Sequence, residues 1–226
     1  MYLVDLTEVT SNSATLSRLL DRTRGVWSAL ADEMDPTETL WVFTPNERRH
    51  GQFWPVAMSV ADCAREESDL TLKNLITVHR EGGRETDLRT VYEEILFFVK
   101  DSSAYRFDKD SIRVAHVYQG EEWGGEREKG QSAYHDTTVR RYNSDGKDPG
   151  NVWLSEFRNQ TANETIDETR PMKRTEAAKR CLQAGSVEGE TVHSVWVTDD
   201  LADVVEAEGR ILNRRDEVSS KREFNE

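Results

Sequence analysis

The segment LWVFTPN, residues 40–46, indicates the fold class, because a short continuous apolar run ends there at a proline and an asparagine. Such a run is typical of a strand that is buried on both faces of a sheet. Apolar positions at helical spacing over residues 13–34 precede it, and Pro55 opens a second helical pattern that ends near residue 67. Helices that alternate with buried strands predict an α/β layered fold.

The rest of the chain continues this alternation. Strands are predicted at residues 72–79 and 94–100, followed much later by a helix at 175–184, a strand at 191–197 and a helix at about 199–208. Strands that alternate with helices favour a mainly parallel sheet, although a polar, glycine-containing loop at 80–90, and not a helix, separates the strands at 72–79 and 94–100.

A single domain over residues 1–226 is expected from the length of the chain. Residues 101–150 show weak periodicity and contain the glycine-rich stretch GEEWGGEREKG, so we expect a long loop or insertion there. Residues 214–226 are expected to form a charged tail.

The charge of the chain excludes one class of function. Asp and Glu number 43 and Lys and Arg 30, which gives a net charge of −13 and excludes a basic DNA-wrapping protein. Only 8 of the basic residues are lysines, and the acids are spread along the whole chain. This composition is typical of adaptation to high cytoplasmic salt, where the screening length falls to about 3 Å at 1 M. In such salt the net charge does not exclude a nucleic-acid partner; an ordinary acidic protein is the alternative.

The sequence shows no pattern typical of a membrane protein, a disulfide-bonded protein or a metal-binding protein. No apolar run approaches the roughly 18 residues of a membrane span, and the start of the chain lacks the pattern of a signal peptide, so we expect a cytoplasmic protein without a membrane partner. Cys63 and Cys181 fall in helical patterns and are expected to be buried thiols. The five histidines lack metal-ligand spacing, so no metal is expected.

Five segments carry a resemblance to a known family. The most specific is TRPMKRTEAAKRCLQAGSVEGETV, residues 169–192; the others are residues 91–113 and 140–153 and the predicted strands at 38–44 and 69–80. In this order they resemble the permuted S-adenosylmethionine-dependent DNA methyltransferases that modify adenine N6 or cytosine N4. The resemblance implies a Rossmann-like methyltransferase sheet, mainly parallel, with helices on both faces and a circularly permuted motif order. It also implies that residues 101–150 are a candidate target-recognition region.

The catalytic motif of that family is only partly present. The family has an Asp, Ser or Asn followed by two prolines and an aromatic residue, which accept hydrogens from the target amino group and stack on the flipped base. The corresponding place here is LVDLT, residues 3–7, in which Asp5 is a possible hydrogen-bond acceptor. The prolines are missing, and Thr7 offers no stacking face. Asp5 is therefore either a surviving catalytic residue or an acid that caps the end of a strand.

The cofactor loop departs from the family pattern as well. Where the family has a glycine-rich loop whose backbone amides close around the cofactor, this chain reads SVWVTDDL, residues 194–201. The candidate cofactor residues are Ser194, Trp196, Thr198, Asp199 and Asp200. Asp199 and Asp200 would place negative charge where the methionine carboxylate of the cofactor binds, so we expect no bound cofactor unless the enzyme is active, in which case it is S-adenosylmethionine.

Basic and aromatic residues in the second half of the chain are candidates for nucleic-acid contact. They are Arg140, Arg141, Lys173, Arg174 and Trp123. A salt-bridged surface is the alternative for the basic residues.

The sequence thus predicts a DNA methyltransferase-like protein, which is expected to be a catalytically inactive pseudoenzyme that binds DNA or a catalytic partner subunit. Two alternatives stay open. One is an active DNA amino-methyltransferase, and the other is an assembly protein that has kept only the fold.

Overall fold

The structure is a computed structural model that describes residues 1–81, 90–116, 118–126, 137–154 and 171–215. The described strands, in chain order, are β1 (Tyr2–Asp5), β2 (Thr39–Thr44), β3 (Glu47–Arg49), β4 (Gln52–Trp54), β5 (Thr71–His79), β6 (Tyr92–Val99), β7 (Glu122–Trp123), β8 (Arg140–Arg141), β9 (Val152–Trp153), β10 (Thr191–Val195) and β11 (Ile211–Arg215). The described helices are α1 (Thr7–Ser11), α2 (Leu16–Glu33), α3 (Val56–Glu67), α4 (Arg174–Gly185) and α5 (Asp199–Ala207).

A seven-stranded sheet in the order β11-β10-β1-β2-β6-β5-β9 forms the centre of the molecule. The four strands β11, β10, β1 and β2 run parallel, β6 is antiparallel to both of its neighbours, and β9 is parallel to β5. Strand β10 lies between β11 and β1 although it comes from the other end of the sequence. The permuted motif order expected from the family resemblance is therefore present in the sheet.

Helices cover both faces of this sheet. On one face, α2 and α3 pack through residues such as Trp27, Leu30 and Val60 against alternate side chains of β1, β2 and β6. On the other face, α4 and α5 pack through residues such as Cys181 and Leu201. Each face has its own apolar core because successive side chains of a strand point to opposite sides.

The predicted fold class is confirmed, and most predicted helices and strands lie within about three residues of the observed ones. The antiparallel direction of β6 was not predicted. The run ILFFV at residues 95–99 is buried on both faces, and such a run has the same apolar pattern in either direction. The short helix α1 and the hairpin of β3 and β4 were also missed, because neither is long enough to show periodicity.

The two irregular regions differ from expectation in detail. Strand β11 extends through Arg215, two residues into the predicted charged tail, and residues 216–226 lie outside the described part. Within residues 101–150, the described part contains a 3₁₀ turn at Asp110–Ile112 and the two-stranded pairing of β7 with β8. A backbone bridge between Val114 and Lys147 closes the base of this segment.

The described residues bear on the expectations about the two cysteines, a membrane span and a metal site. Cys63 and Cys181 are buried and unbridged, and burial raises the pKa of the Cys181 thiol well above its ordinary value. Among the helices in the described ranges, none has both the length and the apolar composition to cross a bilayer. The same ranges bring together no group of three or more side chains of the His, Cys, Asp and Glu types suited to a metal.

Candidate active site and nucleic-acid surface

The candidate catalytic residue lies at the carboxyl end of the central strand β1. Asp5 is the last residue of β1, between the parallel neighbours β10 and β2. Ligands of open α/β sheets bind outside the carboxyl ends of parallel strands. The fold thus places Asp5 at the edge where a methyltransferase site is expected, next to the loop that follows β10.

The carboxylate of Asp5 is buried, and described donors surround it. Its Oδ1 accepts hydrogen bonds from the Thr7 backbone N–H at 2.9 Å, from the Thr7 hydroxyl at 2.6 Å and from Arg174 Nη2 at 2.7 Å. Its Oδ2 accepts a bond from the Thr198 hydroxyl at 3.2 Å. The side chain has an exposed fraction of 0%. Each carboxylate oxygen offers about two acceptor positions, so the three bonds fill Oδ1, while Oδ2 accepts one bond and is shielded from solvent by burial.

Arg174, the first residue of α4, provides the charge that balances Asp5. The side chain is only 12% exposed, and its guanidinium lies 5.4 Å from the centre of the Phe43 ring. Its Nε has no hydrogen-bond partner in the described structure; the carboxylate of Glu93 lies 3.6 Å away. Glu93 in turn contacts Arg80 at 3.4 Å. A chain of alternating charges therefore runs from Asp5 along this edge of the sheet.

Arg174 was a candidate for nucleic-acid contact, with a salt-bridged surface as the alternative, and the structure instead pairs it with the buried Asp5. The side chain turns inward to Asp5 instead of into solvent. The Asp5–Arg174 pair leaves no signal in the sequence because the two residues are 169 positions apart, and only the fold of the sheet brings the start of α4 to the end of β1. Thr7 and Thr198 were noted as departures from the family pattern, but nothing in the sequence showed that both donate to Asp5.

The candidate cofactor loop joins β10 to α5. Trp196 has a backbone φ of 55°, in the left-handed region that favours glycine, yet it carries an indole that packs against the α2–α3 side of the core. Ser194 is buried within β10, and its hydroxyl has no hydrogen-bond partner among the described residues. Thr198 occupies the N-cap of α5, and its hydroxyl goes to Asp5 rather than to the helix backbone.

Acidic side chains occupy the start of α5. Asp199 forms an ion pair of 2.7 Å with Arg214 of β11, and both Asp199 and Asp200 are exposed in the first turn of the helix. Carboxylates at a helix N-terminus use the positive end of the helix dipole that would otherwise attract an anionic ligand. With Thr198 and Asp200 in the places of the family's two loop glycines and two acids in the first turn of this helix, the loop does not fit the carboxylate end of S-adenosylmethionine.

A second acid lies at the same edge of the sheet but on the opposite face. Glu94 pairs with Thr44 in the β2–β6 register, and its backbone carbonyl accepts the Thr44 hydroxyl at 2.7 Å. Burial raises the pKa of the Glu94 carboxyl. Because the side chain lies across the sheet from Asp5, the two carboxyls belong to different environments.

The other nucleic-acid candidates lie on the surface. Trp123 of β7 pairs with Arg140 of β8, and the Arg140 guanidinium lies 5.8 Å from the centre of the Trp123 ring. Arg141 forms an ion pair of 2.6 Å with Glu122, while Lys173 is exposed at the N-cap of α4. The structure thus brings Trp123, Arg140 and Arg141 together and leaves Lys173 on a different element.

Two neighbouring tyrosines and a histidine were missed. Tyr142 lies 6.0 Å from Trp123, and Tyr118 stacks on Tyr142 at 5.7 Å between ring centres. His116 contacts both tyrosines, at 5.0 Å from Tyr142 and 5.7 Å from Tyr118. The tyrosines and the histidine gave no signal because they occur singly in a polar, weakly periodic region, where no spacing rule applies.

The order and the directions of the strands are those of a Rossmann-like methyltransferase fold, with Asp5 at the carboxyl end of a parallel strand. The family model for DNA methylases of the N6/N4 type matches residues 8–195, and the chain belongs to this DNA methylase family. Comparison with curated protein sequences gives no significant match.

Solved structures of DNA methyltransferases share the fold at low sequence identity. The cytosine-N4-specific PvuII DNA methyltransferase is 9% identical with a TM-score of 0.62, and the match covers 94% of this chain and 73% of that one. TTHA0409 from Thermus thermophilus, a putative DNA modification methylase complexed with S-adenosyl-L-methionine, is 16% identical with a TM-score of 0.55. That match covers 95% of this chain and 78% of the other. At these identities the likeness establishes the fold.

Proposed function

We propose that this protein is a non-catalytic member of the DNA methylase family that acts in a salt-rich cytoplasm by binding DNA, alone or together with a catalytic partner subunit. One observation carries the proposal: the Asp5 carboxylate is buried, paired with Arg174 and bound by three further hydrogen bonds. An acid bound in this way holds the structure together and is not available to an incoming amino group.

The chemistry of amino methylation explains why this matters. The acceptor residue must take a hydrogen bond from the exocyclic amino group, so that the nitrogen lone pair points at the methyl donor. The Arg174 guanidinium neutralises Asp5 and occupies the space beside it. The following residues, Leu6 and Thr7, lead directly into α1, so the segment after Asp5 supplies no aromatic ring on which a flipped base could stack.

The cofactor side supports the same proposal. Two acids in the first turn of α5 repel the methionine carboxylate, and Thr198 and Asp200 replace the glycines that would permit close approach of the cofactor to the backbone. A site that neither orients the amine nor holds the methyl donor lacks the proximity effect. In favourable cases this effect lowers the activation barrier by about 7–11 kcal/mol. The protein therefore needs no cofactor for the proposed role.

DNA is the proposed partner because of the family and because of the surface at β7 and β8. Surfaces that bind nucleic acids commonly use arginine and aromatic side chains. Arg140, Trp123 and the adjacent aromatic rings are side chains of these kinds. The net charge of −13 opposes this binding in dilute buffer, but screening at high salt removes much of that opposition.

Titration calorimetry with S-adenosylmethionine tests the loss of catalysis. The purified protein is titrated in about 0.2 M and about 2 M KCl, two conditions with very different screening lengths, and incubated with duplex DNA and radiolabelled cofactor. We expect neither saturable heat nor transferred label from protein that circular dichroism shows to be folded.

The same assays identify an active enzyme if there is one. Saturable cofactor binding and methyl transfer that is lost in Asp5→Ala would overturn the proposal and establish catalysis. Asp62→Ala is the control, because it removes one carboxylate from an exposed Asp62–Arg65 pair on α3. Light scattering with and without DNA then separates the binding role from an assembly protein, which would self-associate without nucleic acid.

A further inference from the structure

An exposed column of aromatic rings lies on the segment that contains β7 and β8. Tyr118 stacks on Tyr142 with an interplanar angle of 28°, Tyr142 contacts Trp123, and the Arg140 guanidinium lies over the Trp123 ring at 5.8 Å from its centre. Tyr118 is 52% exposed and Trp123 is 39% exposed. Three aromatic rings and a guanidinium thus follow one another. The His116 ring packs beside the two tyrosines, and the column ends at Tyr118, which keeps a large solvent-accessible area.

The column is held in place by the backbone rather than by a hydrophobic core. Val114 and Lys147 exchange two backbone hydrogen bonds of 3.0 and 2.9 Å, and the Arg113 guanidinium donates to the Gly146 carbonyl at 3.1 Å. The Tyr142 N–H donates to the Glu121 carbonyl at 2.9 Å, which joins the two sides of the column. These bonds fix the rings beside one another, although large aromatic side chains are ordinarily buried in a core.

A fixed, exposed stack of rings beside a guanidinium has a specific chemical use. Aromatic faces stack on unpaired nucleobases regardless of sequence, and an adjacent arginine can meet a phosphate or stack as well. A paired base in a duplex presents only its edge, so a ring face of this kind cannot reach it. The surface therefore suits bases that are outside a helix.

We propose that the column of Tyr118, Tyr142, Trp123 and Arg140 binds unpaired DNA bases by stacking, with Tyr118 as the outermost platform. This inference rests on the proposed DNA-binding function and names the form of DNA that is bound. An acidic protein gains from such a mechanism, because stacking survives salt that screens contacts between arginine and phosphate.

Fluorescence anisotropy with labelled oligonucleotides in about 0.2 M and about 2 M KCl, chosen for their different screening lengths, tests the proposal. Three probes of one sequence are compared: a single strand, a perfect duplex, and a duplex with one bulged base. We expect the single strand and the bulged duplex to bind more tightly than the perfect duplex, because both contain an unpaired base.

Variants of the outermost ring give the sharper result. Tyr118→Ala is expected to weaken binding to the single strand by about 5- to 150-fold, the range that corresponds to loss of one stacked base. Tyr118→Phe keeps the ring and should bind as the wild type does. Val187→Ala, at another exposed apolar residue with the same 52% exposure, is the control for a nonspecific apolar effect.

The outcomes separate this inference from the function on which it rests. If the wild type binds DNA and Tyr118→Ala binds it equally well, the stacking surface is wrong while DNA binding stands. If the perfect duplex binds as tightly as the two probes with unpaired bases, the preference is also overturned. If no probe binds in either salt, both the stacking surface and the proposed DNA-binding function fail.

Discussion

At the scale of single residues, the Asp5–Arg174 pair decides how the site is interpreted. A catalytic acid is commonly held in an arrangement that costs stability, whereas an acid with a structural role contributes to stability. Asp5 is fully buried and bound to a guanidinium that is itself only 12% exposed. Its contribution to the free energy of unfolding is therefore a direct measure of its role.

Replacing Asp5 by Asn should destabilise the protein strongly. The change removes the carboxylate that Arg174 contacts at 2.7 Å and leaves Glu93, 3.6 Å from Nε, as its described counter-charge, so we expect a loss toward the lower end of the about 3–5 kcal/mol that breaking a buried pair costs. The double variant Asp5→Asn/Arg174→Met removes both charges and should recover part of that loss. Urea denaturation of the wild type, both single variants and the double variant measures the coupling.

The control for this cycle is the exposed ion pair of Asp62 and Arg65, whose side chains are 69% and 58% exposed. Asp62→Asn should change stability by less than about 1 kcal/mol. An Asp5→Asn variant that is as stable as the wild type would show that Asp5 is not a structural acid, and would favour the enzyme.

The position of Asp5 could be predicted from the sequence, but its environment could not. The resemblance of LVDLT, residues 3–7, to the family's catalytic segment implies that Asp5 ends a strand, and it does. The bonds from Arg174 and Thr198 depend on how three distant segments meet at one edge of the sheet. No local pattern of charge or spacing contains that information, so Arg174 was assigned to the surface.

At the scale of secondary-structure elements, the predictions succeeded where an element is long and periodic. Helices α2, α3 and α4 have clear apolar stripes and were predicted within a few residues of their bounds. The segment from residue 101 to 150 was predicted as a loop because it lacks a period. Its described part is instead organised by backbone bonds and by ring contacts, which leave no periodic trace in the sequence.

Gly146 is the residue on which this segment depends most. Its φ is +102°, and a Cβ atom added there would lie 2.3 Å from the backbone carbonyl oxygen of Val114. Gly146→Ala should therefore break the Val114–Lys147 bridge and displace the aromatic column, while the central sheet stays intact because it makes no use of that bridge.

The expected result is a lower affinity for single-stranded DNA with little change in the midpoint of global unfolding. Anisotropy and thermal denaturation by circular dichroism measure the two quantities. Gly150→Ala is a matched control, since Gly150 also has a positive φ, of +66°, but has open space around its Cβ position. Equal effects of the two changes would show that backbone strain, not the bridge, is responsible.

At the scale of the whole molecule, the surplus of acids links stability to salt. With 43 acidic and 30 basic residues, the folded chain repels itself at low ionic strength. Part of this repulsion is concentrated where α2 and α3 end, since Asp32, Glu66 and Asp69 line one surface depression. All three are exposed, so dissolved ions can screen them.

We therefore expect the urea midpoint to rise when KCl is increased from about 0.2 M to about 2 M, since the screening length shrinks over that range. Neutralising the depression with Asp32→Asn, Glu66→Gln and Asp69→Asn should raise the midpoint in low salt and reduce its dependence on salt. KCl is preferable to a sulfate salt, because sulfate strengthens apolar burial in any protein.

A second triple variant distinguishes clustered repulsion from net charge. Asp21→Asn, Asp203→Asn and Glu206→Gln remove the same number of charges from exposed positions on α2 and α5. If the two triple variants shift the salt dependence equally, total charge determines the response and the cluster has no special part in it. A larger effect from the depression at α2 and α3 shows that local repulsion is what salt relieves. A midpoint that does not move with KCl in the wild type contradicts salt adaptation itself, and it removes the reason for expecting an acidic chain to bind DNA in its own environment.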